Sequence, residues 1–360
     1  MSSQHYPLRM RPRVVRDHPL AAALAVGAAV VAAVDSRIDP VAWRPPEPPA
    51  MTGPLAPDDD LAGADPVLTC NGPEDVAFDA DGRLYAGTAD DEIVRTVEPV
   101  DAATTDADLE RVATVDGRPL GLTFDGERLL VCASDAGLQS VAPDGEVTTL
   151  VARAGGRPVT FADDGTVYVT DAAVHDRFQE ELLELSDTGR LLAYHPDGTT
   201  TVELEELGFA NGVCPHADGE SLLVTETARY RVTRYWVDGD REGESRHFAT
   251  NLPGYPDNVE AAGDGTYWLA VPTPRDETLD RLHASPWLKR QLGKLPTAVL
   301  ERLEGERYGL VVRLDDDGTV VESHHDPGGD VFGVTSATPR GDALYLGSPF
   351  GRRVRRYEPA

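Results

Sequence analysis

The chain has 360 residues, with 62 acidic against 33 basic side chains and a formal charge of −29. That balance argues against a nucleic-acid binder, which needs a basic face for phosphate; with Lys289 and Lys294 the only lysines, it predicts a salt-adapted, halophilic protein whose self-repulsion is screened. A 41% share of hydrophobic residues suffices for one large core from about residue 65 onward, and 34 Gly with 28 Pro predict many turns.

The N-terminus reads as a unit of its own, residues 1–36. Arg9, Arg11, Arg13 and Arg16 precede an apolar run from Pro19 to Val34, which Asp35 closes. The run is shorter than the ~20 residues of a standard span. Positive charge on its N-terminal side predicts an uncleaved signal anchor, with the rest of the chain outside the cytoplasm. A signal cleaved near Val31-Ala32-Ala33-Val34 and a buried helix are the alternatives. Residues 37–64 are rich in Pro, Ala and Asp and predict an extended linker between membrane and domain.

From residue 65 to 360 a phrase returns six times: a Gly/Pro-rich entry, a short apolar strand, a Gly-containing turn and a second strand. The copies start at Gly72, Gly117, Gly156, Phe209, Gly254 and Phe332, the last being the most degraded. A β-hairpin unit repeated at tens of residues cannot bury its apolar face alone, so the units must stack. Six of them predict an all-β, six-bladed propeller whose first strands line a central channel.

Equivalent positions in the six copies then converge on one site. Two residues before the first apolar residue of copy one stands Glu74. Its counterparts are Leu120, Arg157, Asn211, Asp257 and, in the sixth copy, Val334 or Thr335. Glu, Asp and Asn oxygens are hard ligands suited to Ca²⁺, so Glu74, Asn211 and Asp257 are candidate metal ligands. The alternative is that these side chains tie inner strand ends together and bind nothing. Buried carboxylates need a counter-charge, which Arg157 would supply.

One segment breaks the rhythm. Within the fifth repeat, at about 274–306, Leu279, Leu282, Trp287, Leu288, Leu292, Leu295, Val299, Leu300 and Leu303 fall at helical spacing. Two short helices on one face of the propeller are expected, as a lid or as a packing cap. Trp287 beside Lys289 and Arg290 suggests a surface or lipid contact. Cys70, Cys132 and Cys214 lack metal spacing. Three buried thiols are expected, with a Cys70 disulfide the alternative.

The stretches GPEDVAF, GRPLGL, TGRLLAYHPDG, FANGV, LPGYPDNVE, YWLAVPTPR, YGLVVRLDDDG and ALYLGSPF together resemble the strictosidine synthase-like propellers, a group that includes adipocyte plasma membrane-associated arylesterase-like proteins. It is related to the gluconolactonase and paraoxonase propellers. The resemblance covers about residues 65 to 359, and the Arg-flanked N-terminus is similar to that of membrane-bound members. It implies calcium at Glu74, Asn211 and Asp257. Relatives often carry an Asn-Asp pair where this chain has Arg157-Pro158. A cation there removes one oxygen ligand and suits a substrate carboxylate or phosphate. The glutamate used for condensation in strictosidine synthase falls near Thr335, where no carboxylate stands, so that reaction is not expected.

Two functions follow. One is a calcium-assisted ester or lactone hydrolase working in the channel, with Asp257 as metal ligand and general base and Arg157, Asn258 and Thr335 on the substrate. Strand alternation points Asn258 away from Asp257. His216, His324 and His325 would serve only if loops bring them to the channel, and the turn at His216 predicts exposure. The chain has no Gly-x-Ser-x-Gly elbow. The other function is a non-catalytic propeller that binds a ligand or partner.

Overall fold

The computed structural model describes residues 35–134, 136–152, 156–161, 165–173, 178–300 and 307–359, with 156–161, 297 and 298 by backbone alone. The apolar run 19–34 lies outside these residues. Among the described residues no helix is long and apolar enough to cross a membrane.

Strand β1 (Asp65–Thr69) is followed by six four-stranded antiparallel sheets. Blade one holds β2 (Val76–Phe78), β3 (Leu84–Gly87), β4 (Glu92–Thr96) and β5 (Leu109–Thr114). Blade two holds β6 (Pro119–Asp125), β7 (Arg128–Ala133), β8 (Gly137–Val141) and β9 (Val147–Val151). Blade three holds β10 (Gly156–Phe161), β11 (Val167–Asp171), β12 (Gly189–Tyr194) and β13 (Thr200–Leu207). Blade four holds β14 (Ala210–Pro215), β15 (Ser221–Glu226), β16 (Arg231–Trp236) and β17 (Ser245–Ala249). Blade five holds β18 (Val259–Ala261), β19 (Tyr267–Ala270), β20 (Gly309–Leu314) and β21 (Val320–Asp326). Blade six holds β22 (Ser336–Arg340), β23 (Ala343–Gly347) and β24 (Arg353–Tyr357), and β1 completes it by pairing with β24. The N-terminal strand therefore closes the ring.

The six predicted first strands are the six inner strands, each at the end of its sheet away from the outer strand. Their Gly-containing turns are built as hairpins. Glycine is also required in the β20–β21 turn, where Gly318 takes φ 84° and a Cβ would clash with the Phe248 carbonyl; only glycine fits both constraints.

Alternating apolar residues of neighbouring blades fill the gaps between them. Val76, Leu84, Leu68 and Tyr345 pack between blades six and one; Ile93, Leu122 and Val131 between one and two. Leu130, Cys132 and Val169 join two to three, and Leu191, Val213 and Val224 join three to four. Leu223, Val259 and Leu269 join four to five; Trp268, Val334 and Leu346 join five to six. At roughly 1.5–3 kcal/mol per fully buried large apolar side chain, the interblade faces hold the fold together. All three cysteines are free thiols, with Cys132 and Cys214 buried and Cys70 half-buried.

Because each blade is an antiparallel meander, the start of every inner strand and every connection from second to third strand share one face. The helices lie there. Helix α1 (Phe178–Glu184) joins β11 to β12; α2 (Glu277–His283), α3 (Pro286–Leu292) and α4 (Thr297–Leu300) lie between β19 and β20. The insert is where its periodicity predicts, with three helices among the described residues instead of two.

Residues 37–52 carry no regular secondary structure, short 3-10 turns follow at Gly53–Leu55 and Asp60–Gly63, and the segment packs on the propeller. Arg37 pairs with Glu180 at 2.7 Å, Val41 N donates to Glu184 O at 2.8 Å, and Trp43 N donates to His283 O at 3.0 Å. Lys289, fully buried, donates Nζ to Val41 O at 2.6 Å, and Arg275 donates to Pro46 O at 2.6 Å. These residues form a strap joining α1 to the insert. The chain then follows the outer edge of blade five, where Ser323 Oγ donates to Pro54 O at 2.8 Å and His325 N to Asp58 Oδ1 at 2.8 Å.

Candidate active site

The ring positions gather where inner strands begin. Glu74, Asn211, Asp257, Asn258 and Thr335 are all buried, at 6% exposure or less. Hydrogen bonds link one blade to the next around the channel. Asp75 accepts from Leu122 N at 2.8 Å, joining blade one to two, and Thr170 Oγ1 donates to Asn211 O, joining three to four. Thr225 Oγ1 donates to Asp257 O at 2.6 Å and Thr227 Oγ1 to Pro256 O at 2.6 Å, joining four to five. Asn258 N donates to Thr335 O at 3.2 Å, and Thr335 Oγ1 donates to Glu74 O at 2.7 Å, joining five to six and six to one. These hydroxyls and Asp75 satisfy buried carbonyls and amides that strand ends leave over. The hydroxyl of Thr335, expected on substrate, is committed to the Glu74 backbone.

Gly212 lets two blades meet closely: a Cβ there would lie 2.7 Å from Asn258 Cα and 2.7 Å from Asp257 O. Asn211 therefore sits beside Asp257 and Asn258. Asn211 donates Nδ2 to Thr227 Oγ1 at 3.1 Å, but its Oδ1 is buried without a hydrogen-bond partner. Asn258 is 1% exposed, and both its Oδ1 and Nδ2 lack partners. Asn258 lies immediately before β18, which begins at Val259, and its carbonyl accepts from Ala270 N at 2.9 Å. An unpartnered buried amide group costs about 1–3 kcal/mol, so a ligand or water that engaged these atoms would recover that cost. Neutral amide oxygens near carboxylates form a hard-ligand set that fits Ca²⁺.

Glu74 has a second partner. Arg118 Nε lies 3.2 Å from Glu74 Oε2, while Arg118 Nη2 donates to Gly72 O at 3.2 Å and Pro349 O at 3.3 Å. The counter-charge assigned to Arg157 is thus present on Glu74 from Arg118. Arg157 lies in β10 opposite Thr170, and its side chain is outside the described residues. The Gly-Arg-Pro shared by copies two and three is the signal that would have flagged Arg118.

Glu260 was also missed. It occupies the inner-strand position where copy one has Ala77, so a carboxyl in an apolar slot was the available clue. Burial first, then the Asp75 carboxylate, push its pKa up to about 8. It keeps its proton at neutral pH. Burial and then Glu260 likewise raise the Cys214 thiol well above its ordinary value.

The histidines are elsewhere. His216 is buried, correcting the exposure expected of its turn: it stacks on Tyr267 at 5.5 Å and meets the edge of Phe248. His324 and His325 lie on the outer strand β21, away from the channel. His324 belongs to the one group of three carboxylate or imidazole ligands within 4.8 Å among the described residues, with Asp58 and Asp60. Its Nδ1 is engaged by Tyr357 Oη at 2.9 Å.

Comparison with known proteins places the chain. A profile described as strictosidine synthase matches residues 158–240, and one described as strictosidine synthase-like, N-terminal, matches residues 53–96. The adipocyte plasma membrane-associated protein of Salmo salar is 34% identical over 347 residues, covering 88% of this chain and 82% of that protein. Protein strictosidine synthase-like 13 of Arabidopsis thaliana is 35% identical over 298 residues, covering 72% and 74%. Among solved structures, a gluconolactonase from Xanthomonas campestris shares the fold at TM-score 0.58 and 17% identity, covering 91% of this chain and all of that one. A calcium-binding protein, regucalcin, from Agrobacterium tumefaciens does so at TM-score 0.54 and 17% identity, covering 81% and 90%. Sequence identity above 30% over most of its length shows that the chain belongs to the strictosidine synthase-like family that includes the adipocyte plasma membrane-associated proteins.

Proposed function

We propose that the channel mouth is the active site of a calcium-assisted ester or lactone hydrolase. The observation that carries this reading is the unpartnered Oδ1 of Asn211 and Asn258, buried at the ring that also holds Glu74 and Asp257. These four residues would hold the ion, which when bound supplies a Lewis acid for a substrate carbonyl. The chain's own residues do the rest. Asp257 is the base for water, since Glu260 keeps its proton at neutral pH. Thr335, Thr225 and Thr227 fix the backbone of the ring, so its groups need no reorganisation during reaction. The shared fold with a gluconolactonase and a regucalcin is consistent with this assignment.

A specific observation favours a second reading, a non-catalytic binding propeller: Arg118 already gives Glu74 a counter-charge without metal. Calcium titration with hydrolysis of phenyl acetate and δ-valerolactone, in chelator and in millimolar Ca²⁺, separates the two. The hydrolase reading expects chelator-sensitive turnover that Glu74→Gln and Asn258→Leu both abolish. In chelator, Asn258→Leu is expected to stabilise the fold by about 1 kcal/mol, because it removes two orphaned polar atoms. In calcium, it loses the ligand-induced rise in Tm that the parent shows. No bound calcium and no turnover would leave the binding propeller standing.

We also propose that the chain is membrane-attached through residues 19–34 with the propeller outside the cytoplasm. Relatives from Salmo salar and Rattus norvegicus, among others, carry the name adipocyte plasma membrane-associated protein. The chain enters the described structure on the site face, Ser36 and Ile38 lying against Gly293 after α3. Trp287 (66% exposed) and Phe350 (69% exposed) lie on that face, as do the exposed Leu288 and Phe178.

A further inference from the structure

In a chain this acidic, most described arginines are neutralised by a carboxylate, as Arg83, Arg95, Arg190, Arg231, Arg234, Arg275 and Arg313 show. Of the described arginines that make no ion pair among the described residues, Arg307, Arg352, Arg353 and Arg355 stand together. Arg352, Arg353 and Arg355 line a cavity of about 520 Å³ at the outer part of blade six, and Arg307 stacks 3.8 Å over the ring of Phe332 in its wall. Arg355 is oriented by bonds from Nη1 to Ala64 O at 2.9 Å and from Nη2 to Asp330 O at 3.5 Å. Arg352 and Arg353 are exposed and make no ion pair among the described residues.

The rest of the wall is of two kinds. Val331, Phe332, Val334 and Leu346 give an apolar side. Ser348 adds a hydroxyl whose Oγ is buried and unpartnered. Asp330 is on the exposed rim and is the one carboxylate in the wall. The inner end reaches the site: Gly347 O accepts from Thr335 N at 3.1 Å, and a Cβ on Gly347 would lie 2.7 Å from Glu74 O.

Four like charges gathered with Asp330, on the rim, as the one carboxylate in the wall repel one another and raise the local positive potential. A guanidinium fork matches the two oxygens of a carboxylate or phosphate, and the unpartnered Ser348 hydroxyl can donate to a third. The apolar wall, with Phe332 already stacked by Arg307, suits a ring or alkyl group. We propose that this cleft binds a small amphipathic organic anion: its carboxylate or phosphate on Arg352, Arg353 and Ser348, its apolar body on Phe332, Val334 and Leu346. The binding stands independently of the hydrolytic reading, since it uses none of the channel carboxylates.

Isothermal titration of the full-length protein at low salt with phenyl phosphate, and separately with inorganic phosphate, tests it. One-to-one binding of phenyl phosphate is expected, tighter than inorganic phosphate by roughly tenfold because the ring is buried. The double substitution Arg352→Gln, Arg353→Gln is expected to weaken it by at least roughly tenfold, while Arg246→Gln, an unpaired arginine on β17, leaves it unchanged. Phe332→Ala, which removes no charge, is expected to erase the preference for phenyl phosphate while sparing inorganic phosphate. Equal affinity for the two anions, insensitivity to both substitutions, or binding only to phosphatidylglycerol vesicles and not to phenyl phosphate would each overturn the proposal.

Discussion

His283 ends α2 at the junction of strap and insert, and it predicts an acid-labile lid. The residue is 1% exposed, and its Nδ1 has no hydrogen-bond partner. Its ring lies 5.7 Å from that of Trp43, and its carbonyl accepts from Trp43 N at 3.0 Å. Burial first, then the cations Lys289 and Arg229, hold its pKa down at about 3 from an ordinary 6.5. The imidazole is therefore neutral when the lid is docked. Above pH 6.5 docked and released states bind the same number of protons and stability is full. Below that, the released state takes up a proton that the docked state refuses, so docking weakens as pH falls and the loss saturates near pH 3. With 1.36 kcal/mol per pKa unit, the loss is about 2 kcal/mol at pH 5 and about 3 kcal/mol at pH 4. Hydrogen exchange reports it locally: the amides of Val41 and Trp43, bonded to Glu184 O and His283 O, are expected to lose roughly tenfold to thirtyfold protection between pH 7 and 5, after correction for intrinsic rates. His283→Leu keeps the volume without the titration and is expected to abolish the change. Equal pH dependence in the parent and His283→Leu would refute the reasoning.

Other outcomes follow from the ring. Thr335→Val removes the bond from Thr335 Oγ1 to Glu74 O; a loss of about 1–2 kcal/mol in denaturant unfolding is expected, with unchanged m-value. Glu260 has a raised pKa, about 8 against an ordinary 4.5, so in chelator the stability it contributes is full below pH 4.5 and falls as pH rises towards 8. Glu260→Gln is expected to flatten that limb and to be more stable than the parent at pH 9; a variant that keeps the parent's slope between pH 6 and 8 would place the titration elsewhere.

The architecture was legible because a propeller repeats itself. Six copies of one hairpin phrase mark the inner strands, and the apolar spacing from Leu279 to Leu300 marks the insert. Glu74, Asn211, Asp257 and Thr335 are brought together because they occupy one position of the repeat. What stayed hidden is set by contacts that no period encodes. Arg118 reaches Glu74 from the next blade through a loop. Asn258 is buried with its amide unpartnered, an outcome of packing that no repeat position announces. The strap of residues 37–47 looks like a spacer in composition, since proline-rich extended chain is the same whether it is solvated or docked; its docking depends on partners such as Glu184 and His283, more than a hundred residues away. Helix α1 was missed because the seven residues of FQEELLE, about two turns inside a β repeat, are too short for a helical period to stand out.

The closure of blade six by β1 has a consequence for how the molecule is made. Ala64 O meets Arg355 Nη1 across a sequence separation of 291 residues, so the first strand synthesised has to wait for the last. Bringing such distant segments together costs on the order of 5 kcal/mol of chain entropy, and contacts of that range slow folding. Until β24 is released from the ribosome, the nascent chain carries two unsatisfied sheet edges, β1 at one end and β23 at the other, both open to pairing with foreign strands. A chain terminated before Arg353 would keep five complete blades and still have no closed ring, because β1 pairs with β24.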